Sequence, residues 1–128
     1  MWDGVDRRKF VRAEYPCLIK VCKNAPPTKA ILTHTEDISV GGIRAIIAKK
    51  IEVMSEVDLE IDLMDTLPTI ISKGIIKRID PIPQAAGKPG RYDIGIKFAA
   101  LHDDDRRRIE RITEHLLYKT KHGGQMKP

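Results

Sequence analysis

Apolar and polar residues alternate along several stretches of the chain, and this period of two is typical of strands with one buried face. Residues 57–63 show it most clearly, because four aliphatic residues alternate there with three acidic ones. Residues 92–98 repeat the pattern, with an aromatic or aliphatic residue at every second position. Weaker alternation predicts four further strands, at residues 11–21, 29–35, 43–47 and 69–79.

Glycines and prolines mark the interruptions of this pattern. Gly41 and Gly42 permit backbone angles that other residues resist, so residues 37–42 are predicted to form a turn. Gly74 lies inside a predicted strand and indicates a bulge or a bend there. Residues 81–90 are rich in proline and glycine, and we predict a loop.

The spacing of apolar residues changes after the last strand. Ile109, Ile112 and Leu116 recur at intervals of three and four, so they form one stripe along an α-helix. The aspartates at 103–105 lie where the positive end of the helix dipole favours acidic side chains. Two adjacent glycines follow and end the helix, which is predicted to span about residues 102–121.

Six short strands followed by one helix favour a six-stranded antiparallel β-barrel with a C-terminal α-helix on its outside or over one open end. A chain of 128 residues is long enough to fold as one domain without help from a metal or a disulfide. We expect residues 1–10 to form a flexible basic arm, residues 11–122 to form the barrel and its helix, and residues 123–128 to form a tail.

The amino-acid composition indicates which partner and which cellular compartment to expect, namely an anionic partner and a reducing compartment. The 23 basic and 18 acidic residues give a net charge of +5, which favours an anionic partner. Cys17 and Cys22 lie five residues apart in a predicted strand and so point to opposite faces, and we predict buried free thiols. The chain has no long apolar run and no apolar leader, so we predict a cytoplasmic protein without a membrane span.

A first candidate binding cluster consists of Arg7, Arg8 and Arg12. Guanidinium groups make paired hydrogen bonds to phosphate and to the edge of guanine. In an extended segment, Arg8 and Arg12 would lie on one face, about 13 Å apart. On charge alone, however, a solvated basic tail is the simpler interpretation.

A second cluster is formed by Asp37, Ser39 and the two glycines that follow, Gly41 and Gly42. The carboxylate could accept hydrogen bonds from the N–H groups of guanine, the hydroxyl could donate to an oxygen, and a glycine would let a ring approach the backbone. Taken alone, these residue types are also what an ordinary turn requires.

Together, Arg8-x-x-x-Arg12 and Asp37-x-Ser39-x-x-Gly42 resemble the paired signature of the PilZ domain family, whose members bind the bacterial second messenger cyclic di-GMP. The resemblance covers residues 6–117, and residues 74–78 and 92–98 are similar to two strands of the family. It implies a six-stranded barrel with a C-terminal helix.

The resemblance also implies roles for individual residues. Arg8 and Arg12 would bind guanine edges and phosphates, Asp37 and Ser39 would hydrogen-bond the ligand, and Gly42 would leave room for it. An arginine at the position of Arg7 is associated in the family with a stacked pair of ligand molecules.

The function implied is that of a non-catalytic cyclic di-GMP receptor whose arm closes over the ligand and thereby signals to a downstream protein. The alternative is a PilZ-like module that binds a protein partner and no nucleotide. Arg44, just beyond the turn, is interpreted as a solvent-exposed strand residue, with added charge at the mouth of the site as the alternative.

Other chemistries find little support. His102-Asp103 resembles part of a phosphohydrolase metal site, but further ligands on several helices would be needed, and a helix-capping role is simpler. His34 with Glu36 or Asp37 is a poor metal site, and neither a catalytic triad nor a phosphate-binding loop is evident. We therefore predict no enzyme activity, no metal and no cofactor. Acidic residues neutralise most of the basic helix, and only six aromatic residues are present, so a nucleic-acid partner is not expected.

Overall fold

Alternating aliphatic residues build a closed antiparallel β-barrel in the computed structural model, which describes residues 14–23, 29–84, 86 and 90–118. The strands follow the order β1-β2-β3-β6-β5-β4 around the barrel, and β1 pairs with β4 to close it. The elements are β1 Leu18–Lys23, β2 Ile31–Ile38, β3 Gly42–Ile47, β4 Glu56–Asp62, β5 Ile70–Ile82, β6 Arg91–Phe98 and α1 Asp103–Tyr118. The predicted six-stranded barrel with a C-terminal helix is confirmed.

Two strand boundaries near the N-terminus differ from the prediction. β1 begins at Leu18, and the preceding described residues are not in a strand. Pro16 has no N–H to donate, and the N–H of Cys17 donates to Thr35 Oγ1 at 3.1 Å instead of joining a strand ladder. β2 continues to Ile38, so Asp37, predicted in a turn, lies in the strand.

β5 also differs from the prediction, at two points. It continues to Ile82, because Pro81 and Ile82 pair with β6 where a loop was predicted. No bulge occurs at Gly74, which faces the interior, where a Cβ atom would lie 2.6 Å from Ile96 Cγ2. The bulge lies between Ile76 and Arg78.

The barrel interior is filled almost entirely by aliphatic side chains. Val57, Leu59 and Ile61 of β4 are fully buried, as their alternation predicts. From α1, Ile109 is fully buried and Ile112 packs against the same core. The helix ends at Tyr118 in the described part of the chain, and residues 119–121 of the predicted helix, the N-terminal arm and the tail lie outside it.

Arg108 attaches the helix to the connection between β4 and β5. Its Nη2 lies 3.0 Å from Asp65 Oδ1, and its Nη1 donates to the Pro68 carbonyl at 2.9 Å. The Arg108 side chain is only 12% exposed, so this ion pair is largely shielded from water. Arg108 thus ties α1 to the connection between β4 and β5.

The two cysteines have different environments. Cys17 is buried beside Thr35 Oγ1, and burial raises the pKa of its thiol. Cys22 is only half-buried, so the prediction of two buried thiols is wrong for this residue. Val21 already points into the core, and its strand neighbour must therefore face outwards. Neither cysteine forms a disulfide.

A candidate ligand site beside the glycine turn

Two β-bulges shape the outer surface of the barrel on either side of β3 and β6. In β2 the register moves from Thr35 opposite Ala45 to Asp37 opposite Arg44, which leaves Glu36 as the extra residue. Thr35 and Ala45 are both buried, so the bulge ends the inward alternation and lets Asp37 face outwards beside Arg44.

The second bulge has the same effect in β5. Here the register moves from Ile76 opposite Ile96 to Arg78 opposite Gly95, and Lys77 is the extra residue. If the strand had no bulge, strict alternation after the buried Ile76 would point Lys77 outwards and Arg78 into the core. The bulge instead places two adjacent cations, Lys77 and Arg78, on the outer surface.

The strand pairings join these residues into one row across four strands. Asp37 lies opposite Arg44, Arg44 opposite Gly95, and Gly95 opposite Arg78. A Cβ atom on Gly95 would lie 3.5 Å from Arg78 Nε, so the arginine side chain lies directly over the glycine. We call this outer surface, with Asp93 beside it, the bulged face.

Asp93 links the two arginines of the bulged face. Its carboxylate accepts hydrogen bonds from Arg44 Nε at 3.0 Å and Nη2 at 2.8 Å, and from Arg78 Nη2 at 3.0 Å. Arg78 also donates to the Asp80 carboxylate. Asp93 is only 20% exposed. The hydrogen bonds from Arg44, opposed by partial burial and assisted by Arg78, hold the pKa of Asp93 below its ordinary value.

Ser39 and the glycines form a tight turn at the end of this face. The Ser39 N–H donates to the Gly42 carbonyl at 2.9 Å, and the Gly41 N–H donates to Ser39 Oγ at 3.1 Å. The carbonyl of Gly41 accepts from the N–H of Phe98 at 3.0 Å, which ties the turn to the end of β6. Ser39 is 1% exposed, so its hydroxyl supports the turn from inside.

Gly42 is required by the close approach of β3 to β6. A Cβ atom at this position would lie 2.1 Å from the Ile96 carbonyl oxygen, a distance that real Cβ atoms do not adopt. The barrel itself thus accounts for a glycine at the last position of the motif. The side of Gly42 on which a side chain would stand faces the backbone of β6, and the residue also borders a surface hollow.

A shallow hollow of about 250 Å³ lies next to the turn. Its lining residues are Gly41, Gly42, Lys77, Arg78, Gly95, Ile96 and Lys97. Backbone and glycine form much of this surface, and three cationic side chains contribute to it. A flat anionic ligand could approach the backbone closely here while its charge is balanced by the cations.

Two other depressions have a different character. One of about 240 Å³ lies over β1 and is lined by Leu18, Leu32 and both acidic and basic residues. The other, of about 460 Å³, lies between Tyr15 and α1, where Arg111 and His115 accompany apolar side chains. Neither combines glycine backbone with several cations, so the hollow beside the turn fits an anion best.

The structure brings together one half of the predicted site. Asp37, Ser39, Gly41 and Gly42 lie at the end of the bulged face. The other half, consisting of Arg7, Arg8 and Arg12, lies outside the described residues.

Sequence reasoning missed four charged residues at this site: Lys77, Arg78, Asp93 and Lys97. A signal for Arg78 existed, because Lys77-Arg78 breaks the alternation after an aliphatic run. Arg44 was interpreted as an exposed strand residue, but its side chain is held by Asp93 and lies 3.8 Å from the Asp37 carboxylate. That interpretation was therefore incomplete.

The alternative sites give no further chemistry. His34 Nε2 lies 3.4 Å from Glu36 Oε2, and the described residues contain no cluster of three or more metal-binding side chains. The carbonyl of His102 accepts from the Arg106 N–H at 2.9 Å, so His102 lies at the N-cap position just before the first helical residue, Asp103. Over the part of the chain that the structure covers, no helix has the length and apolar character to cross a membrane.

Comparison with known proteins decides the family. The PilZ domain model matches residues 6–115, which is most of the chain. The protein belongs to the PilZ domain family. No curated protein sequence matches it.

Solved structures share the fold of this PilZ protein. The Bacillus subtilis inhibitor of motility MotI/DgrA superposes with a TM-score of 0.75 at 18% identity, over 88% of this chain and 52% of that one. The PilZ domain of Escherichia coli YcgR with c-di-GMP gives 0.69 at 17% identity, over 94% and 99%. The K. pneumonia MrkH–c-di-GMP complex gives 0.69 at 22% identity, over 90% and 54%. The chain thus spans about half the length of MotI and MrkH.

Proposed function

We propose that this PilZ protein is a non-catalytic receptor that binds cyclic di-GMP at the bulged face. The observation that carries the proposal is the complete pair of motifs, one half of which ends beside a hollow lined by glycine backbone and cations. The PilZ domain of YcgR and MrkH, both of which share this fold, have been solved with c-di-GMP. The ligand's two phosphates and two guanines match the donors that this face and the arm offer.

Each motif residue has a role in this proposal. Arg8 and Arg12 bind guanine edges and phosphates, and Asp37 accepts from the N–H groups of a guanine. Ser39 makes no direct ligand contact in this proposal but stabilises the turn, since its buried hydroxyl accepts a hydrogen bond from the Gly41 N–H. Gly41 and Gly42 then present backbone to the ligand.

The cations of the hollow extend this set. Arg78 and Lys97 are placed to balance the charge of a phosphate that lies against Gly41 and Gly95. In addition, Arg7 offers a further guanidinium to a second, stacked ligand molecule, so we propose that two molecules bind per chain.

Binding would also change what the protein presents to others. We propose that the arm at residues 1–10 closes over the ligand, and that the closed arm alters the surface offered to a downstream protein partner.

The second candidate is a PilZ-like interaction module that binds protein and no nucleotide. One observation favours it: the turn needs the buried Ser39 hydroxyl, and the close approach of β3 to β6 needs the missing side chain of Gly42. Half of the motif is thus useful to the fold without any ligand.

Isothermal titration calorimetry separates the two candidates. We expect cyclic di-GMP to bind with a stoichiometry of two, and GTP and the linear dinucleotide to bind far more weakly. Arg8→Ala and Arg12→Ala should each weaken binding about tenfold or more, because each removes charge-assisted hydrogen bonds. The matched control Lys73→Ala removes an exposed cation that pairs with Asp58, outside the bulged face, and should change nothing. Absence of binding would favour the interaction module, whereas equal losses in all three variants would indicate attraction by net charge and contradict the roles given to Arg8 and Arg12.

A further inference from the structure

Four outward-facing residues form one row across β2, β1, β4 and β5, where the strand register is unshifted. Lys20 lies opposite Leu32 on one side and opposite Glu60 on the other. Glu60 in turn lies opposite Ile71. We call these four residues the mixed row, because in the order of the strands it reads apolar, basic, acidic, apolar.

The two apolar ends of the mixed row are open to water. Leu32 is 74% exposed and Ile71 is 65% exposed, and these are the highest values among the large apolar residues that the structure describes. Leu18, which faces outwards two residues before Lys20, is 55% exposed. Single exposed aliphatic residues are common, but several on one face are typical of a surface that another protein covers.

The order of the mixed row makes it complementary to a second copy of itself. A two-fold axis along the strands, midway between Lys20 and Glu60, exchanges the two halves of the row. Lys20 then faces the partner's Glu60, and Leu32 faces the partner's Ile71. An axis across the strands would instead bring lysine against lysine and glutamate against glutamate, which repulsion disfavours.

The charged centre of the row can accept a second ion pair. Lys20 Nζ lies 3.6 Å from Glu60 Oε2, and the two side chains are 44% and 47% exposed. A lysine ammonium has three donors and a carboxylate has two acceptor oxygens. Each group can therefore pair with the partner copy while it keeps its neighbour in the row.

The surface beside the row has a shape that fits the same axis. The depression of about 240 Å³ over β1 is lined by Leu18 and Leu32, among other residues. Ile71 stands outside this depression, on β5, two strands away from β1. The two-fold axis brings the partner's Ile71 over Leu32, so one face offers both an apolar projection and a depression to receive it.

We propose that the mixed row is the centre of a two-fold interface between two copies of this protein. A second copy is favoured over an unrelated partner because the row complements itself in charge and in apolar character. The row is centred on β1 and β4, whereas the bulged face is centred on β3 and β6, across the closed barrel. The dimer thus leaves the bulged face open, and the inference does not depend on the proposed function.

Sedimentation equilibrium of the full chain, without ligand and from about 10 µM to 1 mM, tests the interface. A contact four strands wide spans only about 15 Å, so we expect a weak dimer with a dissociation constant on the order of 100 µM. Lys20→Glu and Glu60→Lys should each raise this constant about tenfold or more, because like charges then meet across the axis.

A mixture of these two variants tests the axis itself. Lys20→Glu makes the centre of the row entirely acidic, and Glu60→Lys makes it entirely basic. A dimer with one copy of each therefore places opposite charges together at both positions. The equimolar mixture should regain the dissociation constant of the unmodified protein to within about threefold. Circular dichroism at the lowest concentration checks that each variant keeps its fold.

The apolar ends of the row provide a second set of variants, which decides the question if a charge variant fails to fold. Leu32→Thr and Ile71→Thr should each raise the dissociation constant about fivefold or more, because apolar contact across the axis is lost. Val53→Thr is the matched control. Val53 is 48% exposed but lies in the connection between β3 and β4, so the constant should not change.

Three results would overturn the proposal. The first is a monomer at every concentration, and the second is a dimer that all four row variants leave unchanged. The third is a mixture of the two charge variants that stays monomeric. None of these results bears on cyclic di-GMP binding, which the calorimetric titration decides separately.

Discussion

Two outer faces of the same barrel carry charged residues in different ways. On the outer face of β1, β4 and the first half of β5, ion pairs join residues directly opposite each other in an unshifted register, such as Lys20 with Glu60 and Lys73 with Asp58. Asp58 is 48% exposed. We call this surface the ladder face. On the bulged face, Asp93 is 20% exposed and serves two arginines at once.

The difference shows what a bulge adds to a sheet. Regular pairing places opposite charges side by side, where water weakens each pair and the side chains remain mobile. A bulge turns two successive residues to one side, so that charges gather around a backbone of glycine. The side chains of the bulged face are thereby held in place by one another, and such preorganisation would reduce the entropy lost in the binding proposed above.

The largest expected effect is on the turn that ends the bulged face. Gly42→Ala should lower the free energy of unfolding by about 2–3 kcal/mol, because the new methyl group overlaps the Ile96 carbonyl. Urea denaturation measures this change. Gly95→Ala is the matched control, since its methyl group would meet only the Arg78 side chain, at 3.5 Å or more, and should change stability little. Equal losses in both variants would show that the close approach at Gly42 has no special role.

A smaller effect distinguishes the charges of the two faces. Asp93→Asn should lower the free energy of unfolding by about 1 kcal/mol, because charge-assisted hydrogen bonds to two partly exposed arginines are lost. Asp58→Asn on the ladder face should leave the unfolding midpoint unchanged, since its pair with Lys73 is exposed.

The pH dependence sharpens this prediction. The pKa of Asp93 is lower in the folded protein than its ordinary value of 3.8, so its carboxylate stabilises the fold above about pH 4. That contribution is lost as the pH falls through the folded-state pKa. The stability difference between the unmodified protein and Asp93→Asn should therefore be full at pH 6 and shrink below pH 4. A difference that stays constant down to pH 2 would contradict the ion-pair account.

The smallest expected effect concerns single lysines. Lys97→Ala should weaken cyclic di-GMP binding about two- to threefold, because one exposed cation is removed from the hollow. Lys73→Ala should not change binding, since it lies on the ladder side of β5. Titrations of both variants with cyclic di-GMP at two salt concentrations measure this difference in affinity. The difference should be smaller at the higher concentration, because salt screens the charge. A loss of the same size in both variants would indicate attraction by net charge alone.

The regular parts of the fold could be predicted from the sequence. Strict alternation at residues 57–63 and 92–98 predicted β4 and β6 to within about one residue. A strand with one buried face has apolar and polar residues in alternation, and this alternation within the strand itself is sufficient to predict it.

The bulges could not be predicted in the same way, because a bulge is a property of two paired strands. Glu36 and Lys77 become extra residues only relative to β3 and β6. The role of Asp93 was hidden for a related reason, since Arg44 lies 49 residues away in the chain and meets it only through the register of β3 with β6. The glycine turn, by contrast, was predicted from its local sequence, although Asp37 lies in β2 and not in the turn.

The central claim is that cyclic di-GMP binds at the bulged face. The most direct measurement follows backbone amide chemical shifts by NMR while cyclic di-GMP is added to ¹⁵N-labelled protein. The account predicts the largest shifts at Gly41, Gly42 and Gly95, with Lys20 and Glu60 of the ladder face unmoved. Shifts centred on the ladder face, or none at a saturating ligand concentration, would contradict it.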